Sequence, residues 1–352
     1  MSYLLRLQHY LRSPEAIDPA GAWVALEEGE APPLLARGEQ LCSDILRSPS
    51  IAPIDMLEYA ARLLLLEPGA LPQLGRLFAT SQAFGHGPTH QQARKALATR
   101  CRAIERDMAS WLPAFTTTLF AQMRALGPLD AGTLARTFVN SAMQEMMAHD
   151  LGIDAGQLPA LSETFFSLRP TRHRLETLDR EVGCLLEALE AALVERNRPT
   201  EEAALLASLQ VIGNEPLEAS LVHGMLRETT ETTTPALKAL FTEAAAVNLL
   251  GRFALDDVCF GDLALRKGQM VFVSPHLVHG DVQQAGSDLE THSLSFGKGA
   301  HACLGQILSM HLARAFFEEL SRNEFTPPSG AIRSMRTDVM LRTLTTPTST
   351  AR

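Results

Sequence analysis

The residues best suited to chemistry lie near the C-terminal end, in FGKGAHACLG at positions 296–305. Its one cysteine, Cys303, sits in a glycine-rich stretch, and residues of helical period begin just after it. Glycine lets backbone N–H groups approach a sulfur atom, and a helix N-terminus adds positive potential. Both effects favour a thiolate, which can serve as a metal ligand or as a nucleophile.

Two simple chemistries fit these residues poorly. Zinc needs three or four ligands. His301, Cys303 and His311 could supply three, but the paired Cys-x-x-Cys typical of zinc sites is missing. A cysteine–histidine nucleophile needs a third group to orient the histidine, and the sequence offers no evident one. A buried, inert thiol remains the plain alternative.

A longer pattern accounts for the whole segment. Six residues share the spacing F-G-x-G-x-H-x-C-x-G: Phe296, Gly297, Gly299, His301, Cys303 and Gly305. This pattern resembles the cysteine loop of cytochromes P450 at all six motif positions. The resemblance implies haem b as cofactor, Cys303 as the axial ligand of its iron, and a mainly α-helical P450-like fold with a smaller β part.

The same resemblance implies where the haem propionates would bind. The segment GPTHQQARKAL resembles the family's entry into its C helix, with His90 and Arg94 four residues apart on one helical face. Arg252 opens RFALDDV, which resembles the strand after the family's K helix. Together with His301, these residues are the predicted propionate contacts, since buried carboxylates need cationic partners.

Two features depart from the family, and the first concerns the cysteine loop. Most cytochromes P450 carry Glu-x-x-Arg on the K helix and an arginine in the meander before the loop. Between Glu215 and Cys303 no glutamate has an arginine three residues on, and GDVQQAGSDLETHSLSFG contains no arginine. The sequence therefore leaves open how the loop is stabilised.

The second departure concerns proton delivery. In oxygen-activating members, an acid and an alcohol on the I helix deliver protons to bound dioxygen. The matching stretch here is Ile212-Gly213-Asn214-Glu215-Pro216, so Glu215 supplies the acid and Pro216 replaces the alcohol. Apolar period continues beyond Pro216, which predicts a kinked helix rather than its end. Ser220, one turn further, is a candidate substitute donor.

Three functions follow from these residues. The first is P450-type oxidation or monooxygenation of a small organic substrate, of the kind found in specialised-metabolite biosynthesis, with electrons from a ferredoxin-like partner. The second is a peroxide-dependent or non-oxygenating haem-thiolate enzyme that catalyses a rearrangement or dehydration. The third is a non-catalytic haem or ligand binder. Four basic residues of the C-helix segment form a candidate docking face for the electron donor: Arg94, Lys95, Arg100 and Arg102.

The candidate site residues lie on or between helices and strands that the sequence pattern predicts. Helices are predicted over 91–126, with an interruption at Pro113, and over 134–151 and 175–196. Thr200 is the predicted N-cap of the next helix. Alternating strands begin at Arg252, and a final helix follows Cys303 and stops near Asn323.

Composition limits the remaining possibilities. Of the 352 residues, 46% are hydrophobic and 20% charged, and residues 1–352 are predicted to form one domain. A net charge of −9 argues against nucleic acid as a partner. No apolar run approaches the length of a membrane span or of a signal peptide. The five scattered cysteines predict a reducing cytoplasm rather than a disulfide framework.

Overall fold

The structure is a computed structural model of the chain. It describes residues 3–17, 21–67, 69–80, 85–127, 129–163, 165, 171–229, 231–284, 286, 293–323, 334–337 and 342–345. The α-helices of these residues are α1 (Tyr3–Arg12), α2 (Glu39–Arg47), α3 (Met56–Leu63), α4 (Pro72–Thr80), α5 (Gly87–Ala125), α6 (Ala131–Leu151), α7 (Arg172–Glu195), α8 (Glu202–Leu226), α9 (Thr234–Ala244), α10 (Pro275–Gln284) and α11 (Gln306–Arg322).

The strands form one larger sheet and two hairpins. Their bounds are β1 (Trp23–Ala25), β2 (Leu34–Ala36), β3 (Ile51–Pro53), β4 (Leu250–Ala254), β5 (Val258–Phe260), β6 (Leu263–Leu265), β7 (Met270–Val273), β8 (Ser334–Thr337) and β9 (Arg342–Thr345). The sheet has the order β1-β2-β7-β4-β3, and only the β2–β7 pair is parallel. Strands from the two ends of the chain therefore share one sheet.

Helix α8 is the centre of the helical part. Every side chain from Ala203 to Ser208 is buried, so the helix is covered on all sides rather than on one face. It packs against α6, α7 and α9. Helix α6 is delimited by its sequence: the Asp130 carboxylate accepts the Thr133 N–H at 2.9 Å, and Gly152 ends the helix with φ +62°. The predicted helices over 134–151 and 175–196 and after Cys303 are confirmed.

The predicted interruption at Pro113 is wrong. Helix α5 runs through it from Gly87 to Ala125. Proline removes one backbone hydrogen bond. Here the ring is exposed, while the neighbouring Trp111, Leu112 and Thr116 are buried, and that packing holds the helix together across the missing bond.

The predicted cap at Thr200 is also wrong. Helix α8 begins at Glu202, its N-cap position is Glu201, and no side chain caps it. Instead, the Arg198 guanidinium binds the Glu202 carboxylate at 2.5 Å and fixes the first turn from outside the helix. Pro216 lies inside α8, which continues for ten residues beyond it, so the prediction that this proline does not end the helix is confirmed.

Membrane insertion finds no support in the helices. Among the residues that the structure describes, no helix combines the length and the apolar character needed to cross a bilayer.

Candidate functional site

The cysteine loop, residues 296–305, folds back on itself. The Cys303 N–H donates to the Phe296 carbonyl at 2.7 Å, and the Gly297 N–H donates to the Leu294 carbonyl at 2.9 Å. Gly297 and Gly299 have φ of +65° and +71°, values that other residues adopt only at a cost. The motif glycines at these two positions are therefore explained by backbone conformation.

Gly299 meets a second requirement, because the loop lies against the end of α2. A Cβ at this position would lie 2.6 Å from the Leu46 carbonyl oxygen and 2.8 Å from the Arg47 Cα. The neighbouring Lys298 ammonium binds the Glu39 carboxylate at 2.9 Å and the Ser43 hydroxyl at 3.0 Å, both on α2. Helix α2 thus supports the loop from one side.

The sulfur of Cys303 receives polar groups from the start of α11. The backbone N–H groups of Gly305 and Gln306 donate to it, and Arg94 lies close enough to favour its anion. Burial outweighs these groups and raises the pKa of the thiol. The loop's N–H donors and Arg94 therefore favour the thiolate, while desolvation, the larger effect, opposes it.

Cys303 keeps solvent-accessible surface. Helix α8 approaches the same place. The Leu209 Cδ2 lies 3.8 Å from the position a Cβ on Gly305 would take, and the Cys303 sulfur lies 3.7 Å from that position. The loop and the central helix therefore meet at the thiol.

The four predicted propionate contacts come together beside this thiol. His90 is buried and stacks on His301 with ring centroids 4.5 Å apart. The Arg94 guanidinium donates to the Ala302 carbonyl, and burial lowers its pKa. Arg252 is 7% exposed on β4, and burial lowers its pKa to about 10.

The positive charge of this cluster comes from its two arginines, Arg94 and Arg252. Among the described residues, Arg252 has no carboxylate within ion-pair distance, and its guanidinium donates only to the Gly251 carbonyl, at 2.8 Å. The buried Nδ1 of His301 has no hydrogen-bond partner there. Burial lowers the pKa of His301 to about 3 together with the positive fields of four basic neighbours: Arg252, His90, Arg94 and His86. Such a cluster fits an anionic ligand.

His86 is the residue that sequence reasoning missed. It occupies the N-cap position of α5, and its ring packs edge-on against Phe253 with centroids 6.4 Å apart. Its place four residues before His90 was the available signal, since this spacing matches that between His90 and Arg94.

The structure does not bring the candidate zinc ligands together among the described residues. His311 lies on α11, where its Nε2 is 3.4 Å from the Glu105 carboxylate. In the part of the chain that the structure describes, no three His, Cys, Asp or Glu side chains come together to hold a metal ion.

On α8, the predicted proton-delivery residues are arranged differently from expectation. The Ser220 hydroxyl donates to the Pro216 carbonyl at 2.8 Å, so it serves the helix rather than an outside acceptor. Arg136 on α6 binds Glu218 at 3.0 Å, and this bond, with a smaller contribution from the field of the half-buried Glu215, raises the pKa of Arg136. Glu215 therefore lies within the field of a cation on the neighbouring helix.

The basic residues of α5 do not form one docking face. Arg100 binds the Asp150 carboxylate and lies 3.5 Å from that of Glu202, while Arg94 is used at the cysteine loop. Lys95 and Arg102 remain exposed. Two of the four residues thus form contacts within the protein, and the other two are exposed to solvent.

Comparison with known proteins identifies the fold. No protein-family model matches the chain, and no curated protein matches its sequence. Solved structures do match, over nearly its whole length. CYP154C4 from a Streptomyces species is 19% identical with a TM-score of 0.71, and 97% of this chain and 95% of that one are covered. CYP164A2 from Mycobacterium smegmatis is 20% identical with a TM-score of 0.61, with 98% of each chain covered.

A third match, P450BioI, was solved with an acyl carrier protein that bears a fatty acid. It is 16% identical with a TM-score of 0.68, covering 96% of this chain and 97% of that one. The chain therefore has the cytochrome P450 fold, mainly α with a smaller β part, as the cysteine-loop resemblance implied.

Proposed function

We propose that the protein is a haem-thiolate oxidoreductase with Cys303 as the axial ligand of a haem b iron. The observation that carries this is that the Cys303 thiol lies beside two arginines, Arg94 and Arg252, which form no ion pair among the described residues. A haem complements both, because its iron is a cation for the sulfur and its two propionates are anions for the cluster.

The residues present fit this group. His90, Arg94, Arg252 and His301 would hold the propionates, and His86 lies beside them. The Cys303 thiol keeps accessible surface, and the N–H groups of Gly305 and Gln306 donate to the sulfur. These donors would stabilise the thiolate anion.

When bound, a haem with a thiolate ligand supplies oxidation chemistry, in which the electron-rich sulfur favours O–O bond cleavage. The chain's own part is to exclude water at the sulfur and to bind a small organic substrate beside α8. Glu215 is the remaining acid that could move a proton there. The proposed electron donor is a ferredoxin-type protein, and the proposed substrate class is that of specialised metabolites.

A second candidate is a peroxide-dependent or non-oxygenating haem-thiolate enzyme. The bond from Ser220 to the Pro216 carbonyl favours it, because the Ser220 hydroxyl already donates within α8. Peroxide brings its own electrons and protons, so an enzyme that uses it needs less delivery from this helix.

Two further proposals concern the chain as a whole. We treat residues 1–352 as one domain, since strands β1–β3 and β4 and β7 build one sheet. We also keep the cytoplasmic location as a prediction from cysteine usage.

The absorption spectrum of the reduced, CO-bound protein tests the proposal. We expect the red-shifted Soret band of a thiolate complex in the wild type and its loss in Cys303→Ala. Cys184→Ala is the matched control, because Cys184 is an exposed cysteine on α7. If Cys303→Ala keeps the wild-type spectrum, or if purified wild type reconstituted with haem shows no thiolate band, the proposal is wrong.

A further inference from the structure

The segment that leads into the cysteine loop, residues 293–295, is tied to the end of α9 by hydrogen bonds between neutral groups. We propose that Thr242, His279, Ser293 and Ser295 form a bridge that positions the loop, a role that the missing Glu-x-x-Arg and meander arginine would otherwise have. These four are positioning residues rather than catalytic ones. The bridge's value for haem binding rests on the proposed function, whereas the bridge itself does not.

The first part of the bridge is a chain of hydroxyl groups. The Thr242 Oγ1 lies 2.8 Å from the Lys238 carbonyl and 2.8 Å from the Ser293 Oγ. A carbonyl only accepts, and a hydroxyl has one hydrogen, so Thr242 donates to Lys238 and Ser293 donates to Thr242. The Ser293 oxygen is then free to accept the Ser295 N–H at 3.4 Å. Both side chains are satisfied in only this direction.

The second part is the ring of His279, which is 4% exposed on α10. Its Nδ1 lies 2.9 Å from the Thr242 carbonyl, and its Nε2 lies 2.9 Å from the Leu294 nitrogen. The carbonyl requires a donor and the N–H requires an acceptor. His279 must therefore be neutral, with its hydrogen on Nδ1, and both ring nitrogens are used by the bridge.

The third part is the Ser295 hydroxyl, which donates to the Phe241 carbonyl at 2.8 Å. Phe241 and Thr242 belong to the last turn of α9, and the Phe241 carbonyl also accepts the Ala245 N–H at 3.1 Å. The bridge thus uses the C-terminal turn of one helix as its anchor. The Phe296 ring also packs against that of Phe241, with centroids 5.1 Å apart.

The bridge reaches Cys303 through the backbone. Leu294, which binds His279, accepts the Gly297 N–H, and Phe296, next to Ser295, accepts the Cys303 N–H. A shift of residues 293–295 would therefore move the sulfur. Neutral bonds are a reasonable alternative to buried ion pairs, because they avoid the cost of removing charges from water.

Hydrogen exchange of the haem-free protein tests the bridge directly. Thr242→Val removes one hydroxyl, and His279→Phe removes both ring contacts. Each lost bond should speed exchange of the amides of residues 293–303 by roughly two- to tenfold. Thr116→Val is the matched control, because Thr116 is a buried helical threonine on α5 whose hydroxyl bonds only the Leu112 carbonyl, at 2.8 Å.

A spectroscopic readout separates positioning from general stability. In the haem-loaded, CO-bound protein, Thr242→Val and His279→Phe should lower the fraction with the thiolate band, and Thr116→Val should not. Ring-nitrogen NMR shifts of His279 should report the neutral form with its hydrogen on Nδ1. A charged His279 would overturn the bridge, as would unchanged exchange over 293–303 in both variants.

The two proposals can fail separately. If the wild type takes up no haem but exchange over 293–303 rises in the bridge variants only, the haem proposal fails and the bridge is supported. If haem binds through Cys303 but Thr242→Val and His279→Phe change neither amide exchange over 293–303 nor the thiolate fraction, the bridge fails and the haem proposal stands.

Discussion

The cysteine loop and the middle of α8 meet at the thiol, and they differ in how their polar groups are arranged. Around the loop, Lys298, Ser295 and Leu294 each have partners on helices α2, α9 or α10 at 2.8–2.9 Å. On α8, the buried amide oxygens of Gln210 and Asn214 have no donor among the described residues. The cysteine loop is thus held by side-chain hydrogen bonds to neighbouring helices, whereas the middle of α8 contains buried amide oxygens without donors among the described residues.

The largest expected effect is on the cationic cluster. Replacing Arg94 and Arg252 together by Ala would remove the two charge-assisted contacts proposed for the propionates, each worth roughly 1.5–3 kcal/mol. We expect largely haem-free protein, measured as haem absorbance per polypeptide after gel filtration. Arg102→Ala with Arg266→Ala is the control, since both are exposed arginines. Full haem occupancy in the Arg94/Arg252 variant would show that the propionates bind elsewhere.

The next effect tests the support of the loop by α2. Gly299→Ala introduces a Cβ only 2.6 Å from the Leu46 carbonyl oxygen at φ +71°, so backbone must move. We expect the free energy of unfolding to fall by roughly 2–4 kcal/mol, measured by denaturant titration.

Gly268→Ala is the matched control for that substitution. Gly268 has φ +79° and open space around its Cβ position, so it reports conformational strain alone, about 1 kcal/mol. Equal losses in the two variants would show that contact with α2 is unimportant.

The third effect concerns Pro216 on α8, the other region of the comparison. Pro216→Thr restores the missing alcohol on α8, and general acid delivery is typically worth about 10²–10⁴-fold in rate. We expect more product and less peroxide per electron supplied by a ferredoxin. Pro113→Thr, at the proline inside α5, is the control. Tight coupling in the wild type that falls in Pro216→Thr would contradict this and indicate another proton path.

The smallest effect concerns the ion pair between Lys298 and Glu39. Its side chains are 16% and 20% exposed, so solvent screens it in part. A double-mutant cycle with Lys298→Met and Glu39→Gln should give a coupling energy of roughly 0.5–1.5 kcal/mol. A coupling energy near zero would remove this pair from the support of the loop and leave Gly299 as its main contact with α2.

Local patterns explain most of what could be predicted. Helical period located α6, α7 and α11, because the spacing of apolar residues depends only on near neighbours. It failed at Pro113 and Thr200, where packing and the Arg198–Glu202 pair outweighed the local preference. The sheet that joins β2 to β7 could not be read from alternation, since alternation does not say which strands pair.

The sequence by itself determined the cysteine loop, because positive φ, a backbone turn and a thiol at its end are specified within ten neighbouring residues. It also named four of the basic residues beside that thiol. Only the tertiary structure decided that His86 joins them, that Arg100 turns to Asp150, and that His279 ties α9 to the loop. These contacts join residues from separate elements, and their geometry follows from how helices and sheet pack, which no local pattern contains.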